Sequence, residues 1–161
     1  MWRCFIQFAF GCATMSVVLA GSAHTPALKA AVSSFRESES PEKLRERAEA
    51  AKGGERAKLY MRAAEKTVEE ANAKFTAGEI EQANGQVKQA VSDADRATDA
   101  ARSSGKRLKN TELELRKLVR RLTDIERTLA VDDRGPIHQG VEHLHELDRS
   151  LLDRMFGRGG K

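Results

Sequence analysis

Cysteine is nearly missing from this 161-residue chain: only Cys4 and Cys12 occur, both in the apolar opening stretch. Downstream there is none, which excludes a disulfide framework and a cysteine metal site. Stability there must come from packing. Aromatics are also sparse. The single tryptophan is Trp2, and Tyr60 is the single tyrosine. That argues against an aromatic-lined ligand site. No apolar–polar alternation of strand type follows the opening stretch. A Gly-rich phosphate loop, a GxSxG turn and a strand to mount a nucleophile are all missing. The carboxylates are spread among bases, with no apolar pocket to raise one of them. A non-enzymatic protein with no cofactor is expected.

The opening residues follow signal-peptide grammar. Arg3 supplies positive charge, Cys4 to Ala20 is mostly apolar, and Ala20-Gly21-Ser22-Ala23 supplies small residues for cleavage after Ala23 or Ala20. An uncleaved anchor and a lipid-modified Cys12 are the alternatives. Export to the periplasm or the outside is expected, with no membrane-spanning helix left after cleavage. The chain has 28 basic and 24 acidic residues. Arg3 is the only charge lost with residues 1–23, so the remainder stays mildly basic. That permits anionic partners without calling for nucleic acid.

Residues 24–39 read as a flexible leader. Ser40-Pro41 looks like a helix cap followed by proline at the first helical position. A short helix over 41–52 would bury Leu44, Ala48 and Ala51 and stop at Gly53-Gly54. A second helix over 55–77 carries Ala57, Met61, Ala64, Val68, Ala71 and Phe75 in steps of four and three, and Gly78 suits its C-terminal cap. From Ile80 the steps continue through Ala83, Val87, Ala90, Ala94, Ala97, Ala101, Ser104, Leu108, Thr111, Leu115, Leu118, Leu122 and Ile125 to Leu129. A heptad pattern held that long predicts one helix over about 79–130, roughly 75 Å in length. Ser103-Ser104-Gly105 is its weak point, and a break there gives a compact four-helix bundle instead. Pro136 opens a last helix over 136–156, and residues 157–161 should fray.

The expected fold is all-α: an elongated set of antiparallel helical hairpins, or coiled coil, on one long central helix, with helices 55–77 and 136–156 on its two halves. Folding about the turn at 76–79 sets Phe75 against Ile80, Ala71 against Ala83 and Val68 against Val87. Folding about the turn near 131–135 sets Ile137 against Leu129, Val141 against Ile125 and Leu144 against Leu122. Asp148 meets Leu118 as the one mismatch, with Leu147 a position away. Leu59, Tyr60, Ala63, Val119, Leu152 and Phe156 are left over. Either the first helix covers them, or self-association or a client does.

Two constellations invite chemistry. His138, Glu142 and His145 share one helix face at spacings that suit a metal, although such a site needs three or four supported ligands and an HExxH pattern is not completed. A solvated helix surface is the plain alternative. Arg102, Lys106, Arg107, Lys109, Arg116, Lys117, Arg120 and Arg121 form a basic stretch opposed by Glu112 and Glu114. It reads as an ordinary charged helix surface or as a contact for an anionic envelope surface.

Residues 71–90 resemble one tetratricopeptide hairpin, with Ala71, Gly78, Ile80, Ala83, Val87 and Ala90 at its expected small, turn, bulky and alanine positions. Phe75 is one place off the aromatic position, Glu70-Ala71 replaces the Leu-Gly pair, and Asp95 stands where a proline would close the second helix. The resemblance implies a peptide-binding scaffold, and arrays of this kind need about three repeats. The expected function is therefore a protein–protein interaction or scaffold module, working through a partner or through its own copies. A periplasmic holding chaperone and an anionic-envelope binder are the alternatives.

Overall fold

The computed structural model describes residues 39–157. The expected signal segment, nearly all of the expected leader and the last four residues lie outside them. Five α-helices follow one another: α1 Pro41–Ala50, α2 Gly53–Thr76, α3 Ile80–Ser104, α4 Leu108–Thr128 and α5 Gly135–Met155. A single 3₁₀ turn, Val131–Asp133, joins the last two. The described residues contain no strand.

Local chemistry sets the ends. Ser40 caps α1, its hydroxyl accepting from the Lys43 N–H at 3.4 Å, with Pro41 at the first position. The α2–α3 turn closes on Gly78 at φ +79°. The Gly78 N–H donates to the Phe75 carbonyl and the Glu79 N–H to the Lys74 carbonyl, the paired bonds of a Schellman cap. The hairpin pairs as its spacing predicts. Ala57, Met61, Ala64, Val68, Ala71 and Phe75 are buried on α2, and Ala83, Val87, Ala90, Ala94, Ala97 and Ala101 on α3. On the second hairpin Leu115, Leu118, Leu122 and Ile125 are buried with Ile137, Val141, Leu144 and Leu151. Each large side chain so buried contributes about 1.5–3 kcal/mol.

The long central helix is not formed. Helix α3 ends at Ser104, Gly105 turns left-handed at φ +65°, and Arg107 is left-handed at φ +62° before α4 begins. Ser103 and Ser104 donate their hydroxyls back to the carbonyls of Asp99 and Ala100 at 2.7 and 2.6 Å. The Ser104 hydroxyl also accepts from the Lys106 N–H, so the turn holds its own polar groups. The heptad phase survives the break because α3 and α4 each direct one stripe at their own hairpin partner. Periodicity alone cannot separate that case from a continuous seam.

The break changes the topology. Helices α2 and α5 do not lie end to end along one spine. The two hairpins lie side by side, with α2 parallel to α4 and α3 parallel to α5. The start of α2 meets the α3–α4 turn, where a Cβ added to Gly54 would stand 3.1 Å from Arg107. Further along, Glu69 pairs with Arg121 at 2.8 Å. On the other side a Cβ on Gly140 would stand 3.2 Å from Val91, and His143 meets Asp95 at 2.9 Å. Folding back lets each hairpin cover the apolar face the other leaves open, which an extended two-layer rod cannot do.

Helix α1 covers the leftover stripe of α2. Leu59, Tyr60 and Ala63 are buried, as are Leu44 and Ala48 of α1. Val119 is also buried, Leu152 is half-buried, and Phe156 stays exposed. At the mismatch, Leu147 packs against the core, while Asp148 reaches Arg116 at 3.5 Å.

Candidate interaction surface

Residues of α4 sort by which neighbour they face. Its core stripe is Thr111, Leu115, Leu118, Leu122 and Ile125. On one flank Arg116 bonds Glu112 on its own helix and reaches Asp148 of α5. On the other flank Arg121 bonds Glu69 of α2. Arg107 reaches Glu114 at 3.3 Å, and Arg102 lies 3.9 Å from Asp99. Burial pushes the Glu114 carboxyl up, with Arg107 opposing and Glu65 adding to the shift.

The remaining four bases of the predicted stretch, Lys106, Lys109, Lys117 and Arg120, are exposed. None of them forms an ion pair among the described residues. Lys109, Lys117 and Arg120 fall on the outward side of α4. Leu113, 47 % exposed, stands at the centre of that side. Its neighbours one helical turn away are Lys109, Asn110, Arg116 and Lys117. Of the eight predicted bases, Arg107, Arg116 and Arg121 thus tie α4 to the turn, to α5 and to α2, and Arg102 pairs within α3. Lys106 lies unpaired in the turn beside Gly54, and Lys109, Lys117 and Arg120 are unpaired and face outward.

The predicted metal face does not gather. His138 meets Glu126 of α4 at 3.0 Å and Glu142 at 3.5 Å, while His145 is exposed. Among the described residues no group of three or more His, Cys, Asp or Glu side chains is placed to hold a metal ion. His143, which belongs to no sequence motif, instead joins α5 to α3 through Asp95.

Two polar nodes hold α1, and neither was visible in the sequence. In the first, Arg45 donates to Asp93 at 2.8 Å and to the Thr67 hydroxyl at 2.6 Å, and Gln89 donates to Asp93 at 3.2 Å. Asp93 is completely buried, and that burial pushes its carboxyl above the ordinary range even with Arg45 opposing. In the second node the Tyr60 hydroxyl donates to Glu49, which also accepts from Arg56 at 2.7 Å and Arg96 at 3.1 Å. The Tyr60 hydrogen bond, with these cations, holds the Glu49 carboxyl below the usual range.

Among the described residues no helix is long and apolar enough to cross a membrane. No protein-family model, no curated protein and no solved structure matches the chain.

Proposed function

We propose that this chain is an exported, non-catalytic interaction module that docks an anionic surface against the outward face of α4. The observation that carries the reading is the unpaired set Lys109, Lys117 and Arg120 around the exposed Leu113. Elsewhere on α4 the arginines have carboxylate partners, so their charge serves the bundle. Lys109 and Arg120 have none among the described residues, and Lys117 only attracts Glu114 from beyond ion-pair distance, so most of this charge faces outward. Each base held near an anionic membrane surface contributes about 1 kcal/mol, and the attraction fades with salt. An exposed leucine at the centre adds apolar contact where the helix lies on the surface.

The holding-chaperone reading draws less support. Most of the leftover apolar side chains it relied on are buried. Val131 and Phe156 remain exposed at opposite ends of the α4–α5 hairpin.

Co-sedimentation with phosphatidylglycerol vesicles, against phosphatidylcholine vesicles, tests the docking reading. Binding to the anionic vesicles alone is expected, weakening as salt rises. Replacing Lys109, Lys117 and Arg120 together by glutamine should weaken it about 100-fold, from roughly 1 kcal/mol per base. Equal binding by wild type and triple variant, or no binding at low salt, contradicts the reading.

A further inference from the structure

A cleft of about 960 Å³ opens where α1 turns into α2 and where α3 and α5 finish. Five basic side chains line it: Lys52, Arg56, Arg96, Arg102 and Arg154. Three acidic ones, Glu49, Asp99 and Asp153, share it, leaving two positive charges in excess. Its floor is Tyr60, whose ring is fixed by burial. The guanidinium carbons of Arg56 and Arg96 lie 5.9 and 5.6 Å from that ring's centre, within cation–π range.

Arg102 and Arg154 stand in the last turns of α3 and α5, where a cation offsets the helix dipole. Lys52 and Arg56 have no such reason to be there. Lys52 is the N-cap of α2 and Arg56 lies just inside it, at the positive end of the dipole. Helix α2 also starts without a side-chain cap. Bases gathered at an uncapped helix start are stabilised by an anion; of the carboxylates there, Glu49 is already shared by Arg56 and Arg96, and Glu55 in the first turn pairs with Lys58. A guanidinium has five N–H donors, so most of those on Arg56 and Arg96 stay available. Lys52 and Arg154 form no ion pair among the described residues.

We propose that this cleft binds a multivalent oxyanion of the phosphate type, free or as a headgroup, clamped by Arg56 and Arg96 and neutralised by Lys52 and Arg154. Planar guanidinium forks match such oxyanions through paired hydrogen bonds. Four structural segments bring these groups together, and the Tyr60 ring holds the two arginines in place. The site is separate from the outward face of α4.

Isothermal titration of the full chain with inorganic pyrophosphate tests this. Saturable one-to-one binding is expected. Arg56→Gln and Arg96→Gln should each weaken it about tenfold or more, the loss of one charge-assisted contact. Glu49→Gln should tighten it by removing the competing carboxylate. Lys52→Gln with Arg154→Gln should weaken it without touching the contacts that hold α1, so the test survives if the arginine variants loosen that helix. Lys88→Gln, on α3 outside the cleft, and Lys117→Gln with Arg120→Gln, on α4, should leave it unchanged. The second arm uses phosphatidylglycerol vesicles. A headgroup ligand predicts that Arg56→Gln weakens vesicle binding and that pyrophosphate competes with it; a free ligand predicts neither. No saturable pyrophosphate binding, together with vesicle binding that Arg56→Gln leaves unchanged, overturns the proposal, as does a loss on Lys88→Gln equal to that on Arg56→Gln.

Discussion

Replacing Arg45 by methionine removes the cation bonded to the buried carboxylate of Asp93 while keeping most of the side-chain volume. Asp93 has no exposed surface, and Gln89 at 3.2 Å is then its remaining hydrogen-bond donor. Breaking a buried pair in this way costs about 3–5 kcal/mol, because one charge is left without its counterion. That is a large share of the roughly 5–15 kcal/mol that holds a domain together. The penalty should depend on pH in a set direction. Burial already raises the Asp93 carboxyl, and losing Arg45 raises it further. A group whose folded pKa is raised binds its proton more readily folded than unfolded. Its penalty is therefore full above the folded pKa and shrinks as pH falls toward the unfolded value near 3.8. The slope in that window is at most about 1.4 kcal/mol per pH unit. Urea denaturation of wild type and Arg45→Met at pH 7.5 and pH 5 measures both quantities. A penalty below about 1 kcal/mol, or one identical at the two pH values, refutes the reasoning. Adding Asp93→Leu to Arg45→Met should restore most of the loss, since an apolar pair of similar volume carries no desolvation cost.

Gly140→Leu should force α5 off α3, because even a Cβ there meets Val91 at 3.2 Å. A loss of about 1–3 kcal/mol, read by thermal melting, is expected for such overpacking. Gly105→Ala should cost about 1–2 kcal/mol, since φ is +65° at the turn. Gly85→Ala, inside α3 with nothing within 4 Å of the added Cβ, should instead stabilise by about 0.5–1 kcal/mol. Equal effects of the two alanines contradict the broken helix. Glu49 has its carboxyl lowered in the folded chain, so the stability it contributes is present above its ordinary value near 4.5 and lost as pH falls. Glu49→Gln should therefore flatten the acid limb of a stability-against-pH curve.

Each hairpin was legible as a unit. Gly78, the proline at 41 and the proline at 136 mark ends, and matched stripes such as Val68 with Val87 and Leu144 with Leu122 report their partners. The way the two hairpins meet was not legible. Continuous phase from Ala101 through Ser104 to Leu108 argued for one helix, yet the same spacing arises when two helices each serve a separate partner. The signals that decide it are small. Ser103-Ser104-Gly105 can close its own hydrogen bonds, and Gly54 and Gly140 permit close approach between hairpins. Glycine inside a helical stripe reads from sequence only as a weakness, not as a contact. The basic stretch is plain in the sequence; its division into paired and unpaired halves is not, because that depends on Glu69 and Asp148 arriving from other helices. Asp93 sits beside Ala94 in the stripe like any flanking carboxylate, and only the fold brings Arg45 across to it. In the sequence Tyr60 is one more spare apolar residue; in the fold its hydroxyl and its ring organise Glu49, Arg56 and Arg96.

The placement of α5 beside α3, which puts the basic side of α4 outward, is tested most directly by a designed crosslink. Val91→Cys with Gly140→Cys, in a chain whose Cys4 and Cys12 are serine, sets two thiols on facing helices where Gly140 and Val91 already meet. Mild oxidation followed by mass spectrometry of the monomer should find an intramolecular disulfide in high yield. On one unbroken helix the same two positions stand about 50 Å apart, so a monomer that stays fully reduced contradicts the fold and the surface derived from it.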